Sequence, residues 1–313
     1  MESKCGYNQN KTPRVVVLMS SYNGEKYIRE QIESILWQSY RNVKLYVRDD
    51  GSTDGTLDIL KKYAEKGELV LYEGENLGYV QSFFELLRLC EDAPYYAWCD
   101  QDDVWEKGKL ERAVQILEKN QSERPCLYFS DYDYYDEKMN FQKHGLDHKR
   151  GPSFANSLLD CIPLGFCSVF NSAARKMMTN KIPEHCCGHD WWTYMVCAAF
   201  GQVIYDRGYF SVQYRRLEQS VSPGGKNFLA LQMWRFKKFF LNNYFIKIRE
   251  QHREFASIYG NNLNEKDKKI MCLFAGEKFS IPIMVKKLFY PVWFRQSAGE
   301  ELMVRALFLL GKL

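Results

Sequence analysis

The sequence predicts an α/β fold with a mostly parallel sheet and a C-terminal helical extension. Three observations carry this. Short apolar runs of strand character alternate with stretches of helical period from Arg14 to Ser130. Most of these runs end in a turn rich in Ser, Asn, Asp or Gly. From residue 223 the chain becomes basic and aromatic, and the alternation is gone. Regular strand–helix alternation is the mark of parallel strands joined by crossover helices.

The elements follow in order. The β-branched run up to Met19 reads as a buried strand, and Ser20-Ser21-Tyr22-Asn23-Gly24 turns it. Ile28, Ile32, Ile35 and Leu36 then recur at helical spacing, with Arg29, Glu30 and Glu33 between them. Val43 to Val47 is a second strand. It runs into Asp49-Asp50-Gly51-Ser52-Thr53-Asp54, and a helix follows with Leu57, Leu60, Tyr63 and Ala64 inward. Leu69 to Tyr72 is a third strand. Asn76-Leu77-Gly78 opens a helix with Val80, Phe83, Phe84 and Leu87 on one face. A fourth strand, Tyr95 to Cys99, precedes a helix over 108–119, and Cys126 to Ser130 is a further strand.

In such sheets the loops after the carboxyl ends of strands line the ligand crevice. Three loops therefore converge: Ser21 to Asn23, Asp49 to Asp54, and Asp100-Gln101-Asp102-Asp103. No GxGxxG follows the first strand and no GxxxxGK[ST] occurs, which disfavours dinucleotide and P-loop sites. The collected carboxylates suit a base or ribose and a metal-bridged diphosphate. Three carboxylates within four residues repel one another unless a cation or water separates them. Asp100 or Asp102 can supply a hard oxygen to Mg²⁺ or Mn²⁺. The plainer reading is a solvated acidic turn.

Beyond Ser130 the alternation stops. Asp131 to Asp136 reads as an acidic, aromatic loop, either solvated or suited to a polyhydroxylated ligand. An apolar segment punctuated by Pro163 and Gly165 follows, and Gly188-His189-Asp190-Trp191-Trp192 then enters a helical run over 193–200. Taken alone, Asp190 reads as an N-cap. His185-Cys186-Cys187-Gly188-His189-Asp190 holds zinc-ligand types, but adjacent cysteines chelate poorly and no second pair accompanies them. The remaining cysteines lie mostly in apolar contexts, as buried and reduced side chains do.

Residues 226–313 hold 16 Lys and Arg against 7 Asp and Glu, so the tail is basic and the body mildly acidic. Basic residues interleave there with Phe228, Trp234, Phe239, Phe289 and Trp293. This fits an inner-leaflet membrane surface, or ordinary helices with a solvated basic face. No nucleic-acid recognition motif accompanies it. Residues 1–12 are polar, and the first apolar run is too short for a signal peptide or a membrane span. The expectation is a cytoplasmic protein, peripheral on the plasma membrane.

Five motifs now stand in order. They are Val16 to Gly24 with Ile28 to Gln38, Arg48 to Thr56, Asn76 to Phe83, Asp100 to Trp105, and His189 to Trp192. Together they resemble the family-2 glycosyltransferases of the GT-A fold, in particular the rhamnosyltransferase-like branch of surface polysaccharide synthesis. The resemblance covers residues 14–222, between a polar tail (1–13) and the helical extension (223–313). It implies a nucleotide-sugar donor met by Ser21, Tyr22, Asp49, Asp50 and Gly78. Asp100, Gln101, Asp103, Arg215 and Arg216 would meet the donor sugar or diphosphate, and Asp100 and Asp102 the metal. Asp190 matches the catalytic base. Trp191, Trp192, Tyr132 and Gly165 would face a glycan or lipid-linked glycan acceptor.

One departure stands out. Relatives carry Tyr-Arg-Gln-His and then Asn after the last core strand. Here Tyr214-Arg215 is kept, Arg216-Leu217 replaces Gln-His, and Ser220 lies near the expected Asn. That leaves metal use and donor identity open. The implied reaction is inverting transfer from dTDP-rhamnose, with a UDP-hexose or galactofuranose donor as the near alternative. A catalytically silent glycan-binding protein and a nucleotide hydrolase are the more distant ones.

Overall fold

The computed structural model describes residues 12–217, 244–276 and 280–313. The first half follows the expected alternation: β1 (Val15–Ser21), α1 (Ile28–Leu36), β2 (Val43–Asp49), α2 (Thr56–Glu65), β3 (Val70–Glu73), α3 (Tyr79–Leu89), β4 (Tyr95–Cys99), β5 (Val104–Trp105) and α4 (Lys109–Lys119). There follow β6 (Cys126–Tyr135), β7 (Phe141–His144), α5 (Phe154–Ser157), β8 (Ser168–Asn171), α6 (Ser172–Asn180), α7 (His189–Phe200) and β9 (Gln202–Arg215). The described part of the extension holds α8 (Tyr244–Tyr259), α9 (Glu265–Phe274), α10 (Ile281–Leu288) and α11 (Ala298–Leu309).

One sheet runs through the molecule in the order β3-β2-β1-β4-β8-β6-β9-β5, with β7 on β6. β1 pairs in parallel with both β2 and β4, and β2 with β3. β8 enters antiparallel between β4 and β6, and β6 and β9 are again parallel. The apolar segment around Gly165 thus supplies a strand that turns the sheet from a parallel half to a mixed one.

Strand alternation divides the core. Val15, Val17 and Met19 pack on the face of Ile32, Leu60 and Leu110. Val16 and Leu18 pack on the other, with Phe83 and Phe84 of α3 and Trp192 and Val196 of α7. Phe255, Phe274, Phe294 and Phe308 of the extension join this second core. The apolar residues Phe228, Leu231, Trp234, Phe239 and Phe240 of the basic stretch, the position of Ser220 and the proposed boundary at residue 222 lie outside the described residues.

Residues 131–135 of the stretch 131–136 are strand rather than loop. β6 continues to Tyr135, and Tyr132 and Tyr134 are buried in the first core, with Tyr132 edge-on to Phe166 and Tyr214. Asp131 is tolerated in a strand because the Tyr205 hydroxyl and the Gly208 N–H donate to its two oxygens at 2.6 and 2.7 Å.

Candidate active site

Register delivers three loops to one edge. Ser21 faces Asp49 across β1 and β2, and Met19 faces Cys99 of β4. The segments that follow lie side by side at the carboxyl ends of the parallel strands.

Side chains then tie the loops together. Ser21 Oγ donates to Asp49 Oδ1 at 3.1 Å, and the Ser52 hydroxyl and N–H donate to the same carboxylate at 2.6 and 2.9 Å. Asp50 forms a buried ion pair with Arg48 and accepts from the N–H groups of Leu77 and Gly78 at 2.9 and 3.0 Å. Asp49 and Asp50 are each 2% exposed. Expected to meet base and ribose, they bond to the protein as well and so set the loops that frame the crevice. Ser21 is likewise buried. Tyr22, 46% exposed, stands free to lie against a base. Gly78 is exposed, with φ +77°, a left-handed conformation that favours glycine. Gln101 is also a tie: its Oε1 accepts from Tyr22 N–H at 2.9 Å and its Nε2 donates to Tyr22 O at 3.0 Å.

The acidic loop is under electrostatic load. Burial, then the charges of Asp102 and Asp190, push the Asp100 carboxyl up to about 8. Burial pushes Asp102 up, against the pull of Arg215. Asp103 is fully buried and driven well above the ordinary carboxylate range, by burial and then by Asp102 and Asp100. Its Oδ1 accepts from Arg215 N–H at 3.1 Å, a contact that orients the loop. Arg215, expected at the diphosphate, is buried beneath the loop. It donates to Asp102 O and Glu137 O at 2.9 Å each, pairs with Glu30 and lies over the Tyr27 ring. Arg215→Met strips donors from two carbonyls and is expected to cost about 3 kcal/mol, read by urea unfolding. Arg216 follows at the strand end, with its guanidinium 5.6 Å from the Tyr134 ring centroid.

Asp190 stands in the first turn of α7, where the helix N-terminus favours negative charge. Gly188, not Asp190, holds the N-cap position. Asp190 accepts from Gly165 N–H at 3.2 Å and Trp191 N–H at 2.8 Å, which sets Gly165 directly beside it. A Cβ on Gly165 would lie 2.8 Å from His189 Nε2 and 3.5 Å from Asp190 Cβ. Gly165→Ala is therefore expected to shift the carboxylate and lower turnover about 10- to 100-fold. Donor KM should stay within about twofold, because the added methyl meets His189 and Asp190 rather than a nucleotide-facing side chain.

Two further residues lie in the motifs but were given no site role by the sequence. His189 is buried, stacked on Phe83 with ring centroids 3.8 Å apart and edge-on to Trp98. Burial holds its imidazole down at about 4, so it is neutral at the head of α7. The Tyr79 hydroxyl donates to Cys187 O at 3.1 Å and bridges α3 to the loop before Asp190. Tyr79 directly follows Gly78 in its motif, which was the available signal. Trp191, Trp192 and Tyr132, expected at an acceptor, are core residues. The Trp191 indole donates to Ser157 O at 2.5 Å, and Trp192 is edge-on to Phe255. Large apolar rings at the head of a helix were claimed by the core.

A divalent cation fits the acidic loop in donor chemistry. Asp100 and Asp102 offer hard carboxylate oxygens, and the charge of Asp102 helps push the Asp100 carboxyl up. Among the described residues no group of three or more His, Cys, Asp or Glu converges as a metal site. The chain would supply one or two ligands, and substrate oxygens or water the others.

Comparison with known proteins gives the site its context. The model of glycosyl transferase family 2 matches residues 16–182. The Bacillus subtilis protein TuaG, described as a teichuronic acid biosynthesis glycosyltransferase, is 36% identical over 121 residues, 38% of this chain and 46% of TuaG. The dTDP-rhamnosyl transferase RfbG of Shigella flexneri is 26% identical over 188 residues, 56% of this chain and 63% of RfbG. The match thus spans about half the length of these curated relatives. The crystal structure of S. aureus TarS 1–349 superimposes with a TM-score of 0.59 at 17% identity, covering 96% of this chain and 80% of that one. This likeness carries the fold, a GT-A arrangement of the curled sheet. With the family model spanning more than half of its length, the chain belongs to glycosyl transferase family 2.

Proposed function

We propose that the chain is an inverting, divalent-cation-dependent glycosyltransferase of surface polysaccharide synthesis. It moves a sugar from a nucleoside diphosphate to a hydroxyl of a glycan or lipid-linked glycan. The observation that carries this is Asp190, in the first turn of a helix, with its charge felt by Asp100 on the acidic loop. A base then lies near a diphosphate site in one crevice. Asp190 takes the proton of the acceptor hydroxyl as its oxygen attacks the anomeric carbon. The bond from that carbon to the diphosphate oxygen breaks, and its electron pair leaves on the nucleoside diphosphate. Asp100 and Asp102 would hold a divalent cation, which would supply Lewis-acid stabilisation of the leaving group. Gly165 positions Asp190, while Gln101 and Arg215 hold the loop.

L-Rhamnose from dTDP-rhamnose is our leading donor, supported by the likeness to RfbG. A second donor reading rests on TarS, whose structure is known in complex with UDP-GlcNAc. We place the acceptor at the cytoplasmic face of the membrane. No helix of the described residues is long and apolar enough to cross a bilayer, and Ile281 and Val285 of α10 and Phe289 just after it are exposed at intervals of four. The test is a donor panel with Mn²⁺ or Mg²⁺, with and without membrane glycolipid, reading nucleoside diphosphate release. Acceptor-dependent release from one donor names the sugar. No release from any donor would sink the transferase reading.

A further inference from the structure

The helical extension holds two cations that sugar transfer does not use. Lys287 of α10 is 8% exposed. Its ammonium lies 4.7 Å from the Phe274 ring centroid and 5.8 Å from that of Phe308. It lines a solvent-open cleft with Arg249 of α8 and with Ser280, just before α10. Burial, and then the charge of Arg249, push the Lys287 ammonium down to about 8.

Among the described residues, burial and then Arg249 act on Lys287, and neither cation has an ion pair with a carboxylate. The two acids on the neighbouring helix are engaged elsewhere, Glu301 with Arg305 and Glu300 with Arg295. Two like charges gathered in one cleft, one of them buried, destabilise a fold unless an anion joins them. The rest of the lining includes Phe274, Ile283 and Met284. A free phosphate would engage the cations and leave this apolar wall bare. An anion attached to a hydrocarbon chain engages both.

We propose that this cleft binds the phosphate group of a lipid, with Arg249 and Lys287 on the phosphate oxygens and Phe274, Ile283 and Met284 against the first methylenes of the chain. The site extends the proposed membrane location of the acceptor. It stands on the extension alone, and its assay involves no sugar transfer, so its failure and that of the transferase reading are read separately.

The experiment titrates the full chain with decyl phosphate, inorganic phosphate and an uncharged decyl amphiphile, by calorimetry and thermal melting. Decyl phosphate is expected to bind at least about 10-fold tighter than inorganic phosphate, from buried methylenes. The uncharged amphiphile should not compete. Arg249→Gln, at a partly exposed position, should weaken decyl phosphate by about fivefold or more. Lys287→Met should raise the melting temperature of the free protein and abolish the rise caused by decyl phosphate. Equal affinity for the two phosphates would overturn the lipid assignment. Undiminished binding by Arg249→Gln, or no binding of either phosphate, would overturn the site itself.

Discussion

Asp190→Asn is expected to remove sugar transfer while leaving the protein folded and the donor bound. A positioned general base contributes about 10²- to 10⁴-fold, and an amide cannot take the proton. The substitution is nearly isosteric. The carboxylate accepts from Gly165 and Trp191, and an amide keeps one of these bonds, so the stability cost should be about 1 kcal/mol. The expected pattern is a fall in kcat of at least about 100-fold, with donor KM nearly unchanged, because Asp190 acts in the transition state. Nucleoside diphosphate release and a melting curve on the same preparation check both halves. A fall of less than about tenfold would move the base elsewhere. Gly165→Ala is the companion: it keeps the carboxylate but displaces it, so its loss should be smaller.

The fold was readable because β1, β2 and β4 are apolar runs bounded by turn residues, and pattern alone places their loops at one edge. What the pattern could not assign was the split between residues that face a ligand and residues that build the frame. Asp49, Asp50 and Arg215 are charged residue types at the right edge, yet each is buried under partners from distant segments: Ser21, Leu77, Gly78, Asp102 and Glu137. Such satisfaction is set by tertiary contacts. The strand character of 131–135 was hidden for a similar reason. Its acids suggested solvent, but Asp131 is held by Tyr205 and Gly208, and Asp133 by His144. The role of Gly165 was invisible too, because only the approach of His189 and Asp190 makes the missing Cβ matter.

Without a divalent cation, melting temperature is expected to fall as pH rises from 6.5 to 8, and Mn²⁺ or Mg²⁺ should restore it. The Asp100 carboxyl, ordinarily near 3.8, is raised to about 8 in the folded chain, mainly by burial and then by Asp102 and Asp190. Between those values the folded state holds a proton that the unfolded state has released. The stability it contributes is fully present below the unfolded value and is lost as pH rises through the folded one. Each such proton gives a slope of about 1.4 kcal/mol per pH unit. Asp102 and Asp103 shift in the same direction. His189 and His252 work the other way. Burial lowers both from 6.5 to about 4, so their contribution is present above 6.5 and lost as pH falls toward 4. Lys109 and Lys287, lowered by burial to about 8, act mainly above that pH. The window from 6.5 to 8 therefore reports the acidic loop. A bound cation compensates the carboxylates and flattens the slope. Asp100→Asn should flatten it as well, raise stability at pH 8 and forfeit the cation's effect, while losing transfer through the missing ligand. That combination of a more stable and less active protein would mark Asp100 as a group kept charged for chemistry against the preference of the fold. A flat profile without cation, or a cation shift that survives Asp100→Asn, would remove Asp100 from the proposed metal site.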